Sequence, residues 1–305
     1  MDSGKICGML DVIEFGENHM IRFGPSGNSD LFYEQGYKHT WESFAWLHAM
    51  GLTAFEYSFG HGVRMKEDTA AQIRLEAEKY GFAMSVHAPY YINLAAGDAS
   101  FEKNYMYIEQ SAKAARMLGA DRVVIHPGSL SGKPREMALA QTLDSLSKIY
   151  KLLQRAGLGE IRYCPETLGK INQIGDLKEV AMLCNLGDNI YPTIDFAHLH
   201  ARSLGGIHGY EDYKEIISFL ENAIGKEKTY ATHVHFSKIE FTRAGEKTHR
   251  LFSDEGFGPD FEPLAQLLAE KGMSPRIICE SRGTQATDAV AMMEMYNAKR
   301  TELGY

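Results

Sequence analysis

Short apolar runs alternate with longer stretches in which apolar residues recur every three or four positions, and this rhythm holds from residue 21 onward. The runs at 21–24, 53–58, 83–87, 122–126, 161–166, 191–196, 230–236 and 276–280 predict strands. Between them, Tyr105, Ile108, Ala112, Ala115 and Leu118 fall on one helical face, and Gly119 is placed to end that helix. Leu139, Leu143, Leu146, Tyr150 and Leu153 form a second such face before Gly157. Gly51 and Gly81 likewise sit where a helix must hand over to a strand through a short loop. Eight strand–helix pairs over about 280 residues fit an α/β fold of the (β/α)8 TIM barrel kind, typically ~250 residues with additions. An open doubly wound sheet is the alternative, disfavoured because no glycine-rich phosphate loop follows the first strand. Residues 1–20 carry no clear period and read as an N-terminal extension. The barrel is expected to form one domain over 21–305.

Composition changes this picture little. The 305 residues are 44% hydrophobic, enough to bury a full barrel core. No apolar run reaches the ~18 residues of a membrane span, and no secretory leader opens the chain. Cys7, Cys164, Cys184 and Cys279 lack CxxC spacing and read as reduced thiols of a cytoplasmic protein. A net charge of −8 argues against non-specific nucleic-acid binding through overall charge, while leaving room for a local basic rim or for metal ions.

The chemistry gathers at the ends of the runs. His87, His126, Glu166, Asp195, His233 and Glu280 lie on or near the later part of six different strands, with His198 and His249 shortly after two of them. In a barrel these ends converge on the face where active sites are built. One histidine there would most often be a core or loop residue. Several carboxylates are harder to dismiss, because buried unpaired charges cost several kcal/mol and repel one another unless cations lie between them. Histidine and carboxylate are the donors that zinc and similar divalent ions take. A metal centre is the physical inference.

The motifs HAPYYINLA (from His87), VVIHPGS (from Val123), PETLG (from Pro165), TIDFAHLHA (from Thr193), HVHFSK (from His233) and ICES (from Ile278) resemble, in this order, the signatures of the endonuclease IV family. These are apurinic/apyrimidinic endonucleases among the xylose-isomerase-like TIM barrels. The resemblance implies a zinc-dependent phosphodiesterase that cuts duplex DNA 5′ to abasic sites. It implies that His87 and His126 hold one ion, with Glu166 bridging to a second completed by Asp195, His233 and Glu280. Glu166 is also the residue on which catalysis would turn. A third ion would take His198 and His249. There the chain departs from the pattern, with Lys247 where the family has an aspartate two residues before the last histidine; Glu246 is adjacent and could substitute if the loop shifts. Two zinc ions are therefore expected and the third is open, with manganese as the other metal to consider. Tyr90 matches a DNA-contacting tyrosine, Asn93 lies in the same loop, and Arg64 and Lys238 are further candidate DNA contacts. Lys133, Arg135, Arg243 and Arg250 could meet phosphates. A monomer is expected.

Two other classes stay open. A sugar isomerase or epimerase would hold one divalent ion with Glu166, Asp195, His233 and Glu280 and use carboxylates as acid and base. A non-catalytic barrel could bind damaged nucleic acid or a sugar phosphate without turnover.

Overall fold

The computed structural model describes residues 21–60 and 62–305. The extension expected over residues 1–20 lies outside them, as do Cys7 and His61. Each predicted run overlaps one strand of a parallel ring: β1 (Arg22–Pro25), β2 (Ala54–Ser58), β3 (Ala83–His87), β4 (Arg122–Ile125), β5 (Arg162–Pro165), β6 (Thr193–Asp195), β7 (His233–Phe236) and β8 (Arg276–Cys279). One half is ordered β1-β8-β7-β6 and the other β2-β3-β4-β5. The halves are joined by parallel bridges, Ser26 to Glu56 at one seam and Tyr163 to Ile190 and Glu166 to Thr193 at the other. The (β/α)8 barrel expected from the sequence is thus the fold, and the open sheet is excluded.

Side chains alternate across each strand, so one set faces the helices and the other the barrel interior. The outward set is apolar: Phe55, Val86, Val123, Ile125, Tyr163, Ile194, Val234, Phe236 and Ile277 are buried in the main core. The helix Phe101–Leu118 covers part of it with Ile108, Ala112, Ala115 and Leu118, and Gly119 ends it in a left-handed conformation, φ 71°. The helix Arg135–Arg155 is rotated from the stripe read in the sequence. It buries Ala138, Thr142, Ser145, Leu146, Ile149 and Leu153, whereas Leu139 and Leu143 are half-buried. Its small residues allow close approach to the 3-10 segment Leu94–Ser100, where Ser145 Oγ donates to the Leu94 carbonyl at 3.0 Å. Gly24 closes the ring in a similar way: a Cβ there would lie 1.7 Å from the Ala54 carbonyl oxygen.

Inside the ring, the first inward positions of β1, β4, β5 and β8 are Arg22, Arg122, Arg162 and Arg276. Asp121 lies 3.1 Å from Arg122, 3.6 Å from Arg162 and 2.8 Å from Arg276. Arg22 also meets the Gly81 carbonyl, just past a helix end, at 2.8 Å, which suits the negative end of a helix dipole, and Arg276 meets the Met84 carbonyl at 2.7 Å. Among the described residues no helix is long and apolar enough to cross a membrane. Cys164, Cys184 and Cys279 are buried free thiols.

Candidate metal centre

At the opposite end of the ring the last inward residues are titratable. A cleft of ≈ 390 Å³ opens there, lined by residues that include His87, His126, Glu166, His198, His249 and Glu280. A larger cavity, ≈ 620 Å³, lies among the arginines at the other end, away from any cluster of ligand-type side chains. Size therefore does not locate the site; the chemistry of the lining does.

Glu166 is the centre of the cluster and is almost fully buried. Its Oε2 lies 3.2 Å from His87 Nε2 and 2.9 Å from His126 Nε2. Its Oε1 lies 3.0 Å from His235 Nδ1 and 3.5 Å from His198 Nδ1. Glu280 Oε2 approaches the same His235 nitrogen at 3.5 Å. The donors fall into sets close enough to share an ion: His87, His126 and Glu166; Glu166, Asp195, His235 and Glu280; Asp195, His198 and His249.

Several rings are already oriented. His87 Nδ1 donates to the Ala88 carbonyl at 2.7 Å, and His198 Nδ1 to the Thr167 carbonyl at 2.9 Å. Ser237 Oγ donates its proton to the Lys238 carbonyl and so accepts from His249 Nδ1 at 2.7 Å. In all three Nδ1 carries a proton, and Nε2 is the ring atom turned toward the cluster, where it could serve as a donor to an ion. Asp195 Oδ2 tests whether a cation fits. It is buried and accepts no hydrogen bond, since the nearby His198 Nδ1–H, 3.3 Å away, is given to Thr167. A carboxylate oxygen left this way is costly in an apolar interior and favourable beside a metal ion.

The third set turns on a hairpin, Lys238–Thr242 with Gly245–Arg250. Its register shifts by one residue: Thr248 pairs with Glu240, but Glu246 pairs with Phe241. A bulge of this kind inserts one unpaired residue, here Lys247, and restores the alternation beyond it. Glu246 thereby shares a face with His249, three positions away, and its Oε2 reaches to 3.6 Å from His198 Nε2. Lys247 points away, with its Nζ on Glu240.

Charge balance follows from the packing. Burial disfavours the charged forms of these groups, yet the carboxylates and imidazoles stabilise one another. Burial pulls the His87 pKa down, but Glu166 more than offsets this and raises it to about 9. His198 and His235 are likewise held well above the usual histidine range, against burial, by Asp195 in the first case and Glu280 and Glu56 in the second. Burial would raise Glu166; His235 and His126 bring it well below the carboxylate range. Glu280 goes up, because burial and then Glu166 outweigh His235. Cations arriving here would displace protons from these rings.

His233 does not join the Glu166 cluster; it groups instead with Glu56 and His235. His233 faces the barrel interior, but in register it pairs with Thr193, whereas His235 pairs with Asp195. It therefore lies deeper, with Nε2 2.9 Å from Glu56 Oε2, and burial lowers its pKa to about 3. His235 is the histidine that lies with Glu166, Asp195 and Glu280. Asn93 and Lys238, expected to meet DNA, are engaged within the protein. Asn93 Oδ1 accepts from the Ser129 amide and its Nδ2 donates to Ser131 Oγ, so it braces two loops. Lys238 Nζ donates to the Asp254 carbonyl at 2.9 Å. Lys133 and Arg135 are similarly engaged, with the Ala95 and Gln173 carbonyls. Arg250 is paired with Glu240. Tyr90 lines the cleft and is half exposed; Arg64 and Arg243 are exposed. Sequence reasoning missed Glu56 and Lys170, the latter an exposed lysine lining the cleft.

The model described as xylose isomerase-like TIM barrel matches residues 44–298. An uncharacterized protein of Methanocaldococcus jannaschii is 35% identical over 253 residues, 82% of this chain and 89% of that protein. A probable endonuclease 4 of Staphylococcus carnosus is 26% identical over 183 residues, 57% of this chain and 59% of its own length. The chain thus matches under two thirds of that relative. Among solved structures, endonuclease IV from Thermus thermophilus superposes with TM-score 0.62 at 21% identity, over 88% of this chain and 96% of that one. A D-tagatose 3-epimerase-like protein gives TM-score 0.64 at 18% identity, over 83% and 91%. At these identities the two structures share the fold with this chain.

Proposed function

Because the chain belongs to the xylose isomerase-like TIM barrel family, we propose that its clustered ligands hold divalent metal ions and hydrolyse a phosphodiester bond of duplex DNA on the 5′ side of an abasic site. The observation that carries this reading is the set His198, His249 and Glu246 beside Asp195. Those donors exceed what a single-metal enzyme needs. His87 and His126 would hold one ion with Glu166; Asp195, His235 and Glu280 would share Glu166 around a second; His198, His249 and Glu246 would take a third. Nitrogen and oxygen donors in this mixture suit zinc, with manganese the other choice.

Such ions, when bound, supply Lewis acidity toward phosphoryl oxygens and bring water toward a pKa of roughly 7. The protein's own residues orient and balance. Ala88, Thr167 and Ser237 fix the rings of His87, His198 and His249 before any ion arrives. Glu166 faces both oxygens toward ligand histidines and so couples the sets. At the rim, Tyr90 offers a ring to the exposed edge of a distorted duplex, and Lys170, Arg64 and Arg243 offer charge to phosphates, which position the duplex without reading its sequence. The enzyme would act as a monomer in the cytoplasm.

One feature favours a second reading: Glu166, Asp195, His235 and Glu280 form a four-ligand set sufficient for one ion. That would suit a sugar isomerase or epimerase. Incubation with a duplex bearing one abasic-site analogue, with and without chelator, separates the two. Metal-dependent nicking 5′ to the lesion is the expected result. An intact duplex after exposure to fully metallated protein overturns the nuclease reading, and ketose epimerisation by the same sample would replace it.

A further inference from the structure

We propose that Glu56 is a positioning residue for the metal centre, holding the Nε2–H of His235 so that Nδ1 is presented to Glu166, Asp195 and Glu280. The inference rests on the metal-centre reading above. His87, His198 and His249 each anchor Nδ1–H on a carbonyl or hydroxyl and present Nε2. His235 is reversed. Its Nδ1 lies 3.0 Å from Glu166 Oε1 and 3.5 Å from Glu280 Oε2, and its Nε2 faces Glu56 Oε1 at 3.0 Å. That last pair is an ion contact whose angle falls short of a hydrogen bond, and neither of its two buried atoms has a hydrogen-bond partner elsewhere.

Glu56 sits on β2 in the barrel interior, fully buried, where a TIM barrel ordinarily packs branched apolar side chains. Its other oxygen accepts from Ser85 Oγ at 2.9 Å on β3 and from His233 Nε2 at 2.9 Å on β7. Two elements of the ring, the adjacent β3 and β7 from across the barrel, therefore supply donors to one carboxylate. An apolar residue would fill the same space without the several kcal/mol that burying a charge costs. What the charge provides is a fixed His235. A carboxylate on the far nitrogen of a metal-bound imidazole sets its tautomer and orientation and raises its basicity. His233, displaced from the ligand set, finds its role here as a donor that steadies Glu56.

The test uses the full-length protein loaded with cobalt or zinc. Glu56→Gln should weaken metal affinity ~10–100-fold in chelator competition and alter the visible spectrum of the cobalt form. Ser85→Ala should do the same to a lesser degree. Circular dichroism of each metal-free variant checks folding. A measurement needing no variant is long-range proton–nitrogen NMR of zinc-loaded, histidine-labelled protein, which should show His235 protonated on Nε2 and metal-bound through Nδ1. A folded Glu56→Gln protein with wild-type affinity and spectrum, or a His235 protonated on Nδ1, overturns the proposal and leaves the nuclease reading intact. Wild-type protein that binds no cobalt overturns both.

Discussion

Replacing Glu166 with glutamine keeps the shape of the central side chain and removes its charge. In the metal-free protein burial pulls His87 down, and Glu166 at 3.2 Å, aided by Glu56, lifts its pKa from 6.5 to about 9. At about 1.4 kcal/mol per pK unit this is about 3 kcal/mol of net stabilisation of the imidazolium. Because His87 is raised, the contribution is complete below pH 6.5 and disappears as pH rises through about 9. His198 and His235 are raised too, so they act in the same direction. Urea midpoints of metal-free wild-type protein should therefore fall between those pH values, and the Glu166→Gln protein should show a shallower fall. In the variant, His87 should titrate at or below the ordinary histidine value by NMR. A variant His87 that still titrates near 9 would refute the assignment of Glu166 as the partner that sets the charge of the cluster. The same variant should lose metal-dependent cleavage, since Glu166 couples the ligand sets.

Two further outcomes test local geometry. Elemental analysis of protein purified without chelators should find one fewer tightly bound ion in Glu246→Ala than in wild type, while Lys247→Ala keeps the full number; equal counts in all three would remove Glu246 from the centre. Gly24→Ala should destabilise the barrel by about 4 kcal/mol or more, because neither backbone at the 1.7 Å contact can yield. Near-wild-type stability in denaturant titration would show that β1 and β2 can separate at that seam.

The eight strands and most of the residues clustered at the candidate site were legible in the sequence for one reason. A strand repeats every two residues, and a strand buried on its helix side but ending at an active site must turn from apolar to polar. The runs ending at His87, Glu166 and Asp195 show that change directly. Helix orientation was less legible: along Arg135–Arg155 the leucines pointed to one face, but small residues won the close contact with Leu94–Ser100.

The two-residue repeat also sets the limit. His233 and His235 share the inward face, so the repeat cannot choose between them. The choice belongs to the register of β7 against β6, which sets His235 beside Asp195 and His233 beside Thr193. Glu56 gains meaning only when β2 faces β7 across the barrel, 177 residues away along the chain. Lys247 stands where the motif leads one to expect a ligand, and a one-residue bulge turns it outward and Glu246 inward. Sequence alone determined which kinds of atom gather at the strand ends, since burial and periodicity act locally. Which atoms face one another was decided by strand stagger and hairpin register, which exist only once the ring has closed.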